Sequence, residues 1–223
     1  MTGSKWRDIV FGMNDGLVAT TGLVTGLTLT GSSHLAIELA AITAVWAAMI
    51  SMAIGSYLGT RSEVAFQSAL VDRERWELDD HPDEELEEMR NIYHDYGFQP
   101  EEVKVILSAF LRDPELWLRL MVRDEHGVLP ETWESPSGNA IVMAIAVMAG
   151  SLPPLIPNLV LASPHEALWA VLVLAAATAL GLGWFTARLT SQRPWVLALH
   201  FLGLAAAAML LGSGMGGLIG KLR

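Results

Sequence analysis

Cysteine is absent from the 223 residues. That excludes disulfides, thiolate metal sites and cysteine nucleophiles, and it leaves the compartment open. Charge is scarce as well, at 17% of residues against 52% hydrophobic, which is too apolar for an ordinary globular domain. Basic residues are the scarcer sign, with 14 Lys and Arg against 24 Asp and Glu, for a formal charge of −10. A nucleic-acid partner requires a basic face, so it is excluded. The chain also lacks a zinc-protease helix motif, a phosphate-binding glycine loop and a nucleophile elbow. The Glu-x-x-His ligand pattern of di-iron bundles is missing too, so an enzyme is not expected. No cleavable signal is expected either. Lys5 and Arg7 precede a span that is too long, contains Asp15 and has no clear small-residue cleavage site.

What the chain has in excess is apolar length. Five segments of about 20 residues or more carry at most one charge, which is the length a bilayer core requires. Spans are placed near residues 10–31, 36–60, 139–161, 165–187 and 195–219. The first holds Asp15, and the second holds Glu38 near its start. The acidity is concentrated elsewhere. Residues 62–137 hold 20 Asp and Glu against 7 Lys and Arg, or −13, while the remainder is +3. The expected fold is all-α: a five-span transmembrane bundle (residues 1–61 and 138–223) with an acidic helical insert, residues 62–137, between spans two and three. Lys5, Arg7, Arg61, Arg188 and Arg193 fall on one side of the membrane if the spans alternate, and only Lys221 and Arg223 on the other. The positive-inside rule then places the N-terminus and the insert in the cytoplasm. With compact loops and no targeting extension, a bacterial inner membrane is the expected location.

The second span runs without a breaker into SEVAFQSALVDRERWELDD, so one long helix is expected to leave the membrane and continue. Pro82 ends it or opens PDEELEEMRNIYHDYG, which Gly97 closes. QPEEVKVILSAFLRD and PELWLRLMVRDEHG are further helices, the last closed by Gly127, and VLPETWESPSGN is a loop back to the membrane. Within the insert, Glu74 and Glu77 are i,i+3, as are Glu85 and Glu88, while Met121 and Glu125 are i,i+4. Like charges at this spacing repel unless something neutralises them. Either these faces are simply solvated, or paired carboxylates on facing helices hold a divalent cation. Oxygen ligands suit Fe2+, Mn2+, Mg2+ or Ca2+, and a thioether tilts the choice towards softer metals. Met121 also reads as a core residue. His81, His94 and His126 lie at helix ends and loops, where histidines are usually not ligands.

Asp8 and Asp15 are seven apart and share a helix face, about 10 Å apart along the axis. An intramembrane carboxylate marks an ion or proton path by default. Asp15 is the deeper of the two; Asp8 lies at the cytoplasmic edge and is either interfacial or part of the path. The pairs Gly12/Gly16 and Gly22/Gly26 suit close helix packing. Thr20, Thr21, Thr25, Thr28 and Thr30 either line a polar route or bond to helix carbonyls. Met52 reads first as packing, as does His200 as a structural group. Gly212, Gly216 and Gly220 form a second small-residue ridge, and Pro153, Pro154 and Pro157 are expected to end the third span.

Ordered motifs over nearly the whole chain carry a resemblance. They are D-x-x-x-G-x-x-D-G-L-V in the first span, S-M-A-x-G-x-Y-L in the second, H-P-x-E-E-L-E-E-M-x-x-I-Y-x-x-x-G in the insert, and L-P-P-L-I-P in the third span. The combination resembles the vacuolar iron transporter family, the plant and yeast vacuolar iron and manganese carriers with their bacterial relatives, as a bacterial-type member. The resemblance implies a homodimer with a translocation path between the two copies of the first span. It implies that Fe2+ or Mn2+, with Zn2+ and Co2+ as further candidates, leaves the cytosol in exchange for protons, with no prosthetic group. It implies metal ligands at Glu74, Glu77, Glu85, Glu88, Met121 and Glu125, and path residues at Asp8, Asp15 and Met52. The chain departs from the family pattern in three places. Gly55-Ser56-Tyr57 stands where Gly-Glu-Tyr is common, a membrane glutamate of some members falls on Ala44, and an acidic position after the insert's methionine is Val122. A proton-coupled divalent-metal carrier is the expected function. A metal buffer or sensor without transport is the alternative, favoured by the missing carboxylates at Ala44 and Ser56.

Overall fold

In the computed structural model, which describes residues 3–128 and 133–221, proline opens six of the eight described helices. Pro82, Pro100, Pro114, Pro136, Pro164 and Pro194 each sit at a helix start. A first-turn N–H has no helical partner to lose, and the ring's fixed φ is already helical. There is no strand among the described residues.

Helix α1 is Gly3–Leu29, and the chain turns at Gly31 with φ of +73°. Helix α2, His34–Asp80, is 47 residues long, or about 70 Å at 1.5 Å per residue. It is the single uninterrupted helix that the sequence predicts. Three shorter helices follow where expected. Helix α3, Pro82–Asp95, is followed by Gly97 at φ +95°. Helix α4 is Pro100–Phe110, with the Glu102 carboxylate accepting the Gln99 backbone N–H at 2.8 Å. Helix α5, Pro114–His126, is capped by Asp113, whose carboxylate accepts the Leu116 N–H, and is closed by left-handed Gly127. The expected return loop falls partly on residues 129–132, outside the described residues, and from Pro136 the chain is already helical. Helices α6 (Pro136–Val160), α7 (Pro164–Leu189) and α8 (Pro194–Lys221) complete the fold.

Pro153, Pro154 and Pro157 stand at the end of the third span as expected but do not break the helix: α6 continues through all three to Val160. Proline φ fits a helix, and the cost is the missing N–H, which leaves the carbonyls of Ala149, Gly150 and Pro153 without their helical donors. Transmembrane helices tolerate such prolines because neighbouring helices and polar side chains re-satisfy freed groups. Ser151 and Asn158, both buried in this stretch, bond back to Val147 O at 2.9 Å and Pro154 O at 3.5 Å, neither of which is a freed carbonyl.

The chain divides into two compact units, Met1–Tyr57 with Pro136–Arg223, and Leu58–Ser135. In the first, α1 is the central helix, packed mainly on α6 and also against α7 and α8. Gly12, Gly16 and Gly150 allow this approach. A Cβ on Gly16 would stand 2.2 Å from Val147 O, and one on Gly150 would stand 2.0 Å from Met13 O. Gly22 and Gly26 have nothing within 4 Å, so only the first glycine pair is used inside one chain. The packing of Gly212, Gly216 and Gly220 lies outside the described residues.

Among the described residues, four helices are long and apolar enough to cross a membrane: α2, α6, α7 and the Pro194–Leu211 part of α8. Helix α1 is long enough but carries Lys5, Arg7, Asp8 and Asp15, of which Asp8 is buried, Lys5 and Asp15 are half-buried and Arg7 is exposed. Helix α2 buries Ile37, Ala41 and Val45 while Leu39, Ile42, Trp46, Ile50 and Ile54 stay exposed. Such a stripe is a liability in water and suits lipid or a second protein surface.

The second unit has its own core. Met89 and Tyr93 of α3, Val103, Leu107 and Phe110 of α4, and Trp117 and Met121 of α5 form one cluster. Leu118, Val122 and Val128 pack with Leu70, Val71 and Leu78 in another. These contacts fix α5 against the lower part of α2 and against α3, which positions the acidic residues below.

Candidate metal centre

Glu74 projects from α2 into the second unit and is 2% exposed. Opposite it, the last turn of α5 supplies Glu125 and His126. Donor atoms of these three side chains all lie within 4.8 Å of one another. His126 Nε2 is 2.8 Å from Glu74 Oε1 and 3.7 Å from Glu125 Oε1. The second oxygen of Glu74 is buried with no hydrogen-bond partner. Glu85, on the first turn of α3, is 7% exposed, and one of its carboxylate oxygens is likewise unpartnered. Two buried carboxylate oxygens without donors are costly unless an ion or water satisfies them.

The electrostatics tie these groups together. Burial first, and then the charges of Glu74, Glu88, Glu77 and Glu125, push the Glu85 carboxyl up to about 7. Burial followed by Glu74 and Glu88 raises Glu125, against a smaller lowering from His126. The five glutamates the sequence singles out therefore act on one another. Arg73 is the nearby fixed cation, bonded to Glu77 at 2.9 Å. This is a carboxylate-rich concavity with buried, unpaired oxygens, and its donor set fits a divalent metal ion.

The residues are not equally placed. Glu74 and Glu85 are buried, Glu77 is half-buried, and Glu88 and Glu125 are exposed. Met121 is fully buried in the apolar cluster beside Met89, Phe110 and Trp117. Val122, where the family pattern admits an acid, is also fully buried and packs with Leu118 and Val128. His126 is the group that the sequence reading undervalued. The signal available was its position one turn beyond Val122, next to Glu125, at the end of a helix whose other face is core.

In the membrane unit, Asp8 is 7% exposed on α1, with one oxygen 3.4 Å from the outward-pointing Arg7 guanidinium. Asp15 is half-buried one face-repeat further along, and has no hydrogen-bond or ion partner among the described residues. Met52 is half-buried on α2. The threonines of α1 divide between their two expected roles. Thr21 and Thr28 donate to carbonyls of their own helix, Thr30 just beyond its end donates to Leu27 O, and the Thr25 hydroxyl is buried without a partner. His200 lies on an exposed face of α8.

Comparison with known proteins completes the description. A family profile described as "VIT family" matches residues 6–217. A vacuolar iron transporter 1 of Eucalyptus grandis is 31% identical over 213 residues, covering 96% of this chain and 86% of its own length. A vacuolar iron transporter 2 of Oryza sativa subsp. japonica is 30% identical over 213 residues, covering 96% and 87%. A vacuolar iron transporter of Plasmodium berghei (strain Anka) is 25% identical over 202 residues, covering 86% and 74%.

Proposed function

This chain belongs to the VIT family, and from that premise we propose that it is a proton-coupled carrier moving Fe2+ or Mn2+ out of the cytosol. The relatives are named iron transporters, and iron is the first substrate to test. The observation that carries the reading is the pairing of two features. One is a half-buried, partnerless carboxylate, Asp15, on the central membrane helix. The other is a carboxylate cluster with unpaired buried oxygens in the insert.

In this reading all five long helices span the membrane, with the N-terminus and the insert on the cytoplasmic side. Glu74, Glu77, Glu85, Glu88 and Glu125 gather the cation, with Met121 at the apolar floor. Asp8 receives it at the cytoplasmic end of α1, and Asp15 binds it deeper. A carboxylate serves both metal and proton because the two compete for the same oxygens. Met52 contributes a soft thioether, which favours Fe2+ over Mg2+ or Ca2+. The path forms between two copies of α1 in a homodimer. The open flank at Gly22 and Gly26, where nothing lies within 4 Å, supports this arrangement.

Fe2+ uptake into proteoliposomes under an imposed pH gradient tests the proposal. The gradient accelerates metal uptake by wild type, and Asp15→Ala abolishes uptake. Stoichiometric metal binding with no wild-type flux would contradict it, leaving a buffer or sensor. Ala44 and Ser56, which stand where family members carry carboxylates, are the observation in favour of that second reading.

A further inference from the structure

The geometry points to His126 as a direct nitrogen ligand of the metal in the insert, one that sets this chain's preference for borderline transition metals over Mg2+ and Ca2+. The inference deepens the reading of the insert as a cation collector and rests on it.

The argument starts from distances. With bonds of about 2.1 Å to nitrogen and oxygen, neighbouring ligand atoms around a tetrahedral or octahedral ion stand roughly 3.0–3.4 Å apart. His126 Nε2 lies 2.8 Å from Glu74 Oε1 and 3.7 Å from Glu125 Oε1. Those separations bracket the edges of a coordination polyhedron, so an ion entering here needs only small side-chain shifts. The imidazole nitrogen that faces the carboxylates is the one that would bind. It is 2.8 Å from Glu74 Oε1, and a metal ion would bind its lone pair, with any proton on that nitrogen lost to solvent or carried instead on Nδ1. Glu74 also keeps a second, buried oxygen that no protein group satisfies. A histidine bonded to Oε1 alone leaves that second oxygen, Oε2, unmet, whereas a cation held by both oxygens of Glu74 would satisfy it.

The chemistry of the donor set follows. Carboxylates alone bind Mg2+, Ca2+ and Mn2+ well, while an imidazole shifts preference towards Fe2+, Co2+ and Zn2+. The methionine expected to provide that softness, Met121, lies within the apolar cluster beside Met89 and Trp117. His126 is half-buried at the carboxylates themselves. The insert thus has a nitrogen donor at the place where selectivity is decided, and Val122 leaves that end of α5 without the extra acid of the family pattern.

The test uses the full chain in detergent, loaded with substoichiometric Mn2+ and measured by electron spin-echo envelope modulation. Wild type is expected to show nitrogen-14 modulation from a coordinated imidazole, lost in His126→Gln. In parallel, Zn2+ affinity is expected to fall in His126→Gln by more than the roughly 10–100-fold that loss of an outer-shell partner costs, while Mg2+ affinity changes little. Mn2+ bound without nitrogen modulation, but lost in Glu74→Gln, would overturn the role of His126 and leave the carboxylate site standing. Mn2+ binding indifferent to Glu74→Gln would overturn both. Circular dichroism of each variant separates loss of a ligand from loss of the fold.

Discussion

Glu85 shows how one side chain links folding, protons and metal. Its carboxyl titrates near 7 because burial and four neighbouring carboxylates disfavour its charge. Its folded pKa is raised, so the folded protein holds this proton more tightly than the unfolded chain. The resulting stabilisation is complete below the ordinary glutamate range near 4.5 and is lost as pH rises through about 7. The metal-free protein is therefore expected to melt at lower temperature at pH 8 than at pH 5, and Glu85→Gln to flatten that dependence. With metal the sign reverses, since the ion needs the carboxylate. Calorimetry in buffers of different ionisation heat is expected to show about one proton released from Glu85 per ion at pH 6 and far less at pH 8. Equal proton release at both values would show that Glu85 does not hold the ion. Glu85 and Glu88 were legible as a pair from their spacing alone. That Glu85 is buried and Glu88 exposed was not, because spacing gives a shared face and not the depth of the opposing helices.

At the scale of helices, the approach of α1 to α6 is set by backbone against backbone. Gly150 meets Met13 O so closely that a methyl group there forces the helices apart. Gly150→Ala is expected to destabilise the bundle by about 1–3 kcal/mol, read as a lowered melting temperature in detergent. Gly22→Ala, with open space around it, is expected to leave the monomer fold unchanged. If Gly150→Ala melts like wild type, the α1–α6 contact described here is wrong. Small-residue spacing indicated close packing on α1, but it did not say which glycine pair faces a neighbour in the same chain. The helix limits were more legible. Gly97, Gly127 and the prolines at helix starts mark them, because each is tied to a backbone conformation or a missing donor. Pro153, Pro154 and Pro157, in contrast, lie inside a helix. In α6 the local cost of three missing donors is outweighed by a helix that must remain continuous among apolar neighbours. The approach of His126 to Glu74 was not legible for a related reason: the two lie 52 positions apart, and no local pattern links α2 to the end of α5.

At the scale of the whole molecule, the proposed function requires both the acidic insert and α1, the polar helix packed against α6, α7 and α8. Charge distribution made the division into two units legible, since residues 62–137 hold nearly all the acid. The central place of α1 was not, because its polarity is compatible with either an edge or a centre until the packing of α6, α7 and α8 is known. The central claim is that metal and protons move in opposite directions through this chain. The most direct measurement is the lumenal pH of proteoliposomes, with the insert facing outward and no initial pH gradient, after external Fe2+ is added. Metal entering in exchange for protons makes the lumen alkaline. The account predicts that rise in wild type, its loss in Asp15→Ala, and a slower rise in Glu85→Gln/Glu88→Gln. Entry of Fe2+ with no change in lumenal pH, or an equal rise in Asp15→Ala, would contradict it.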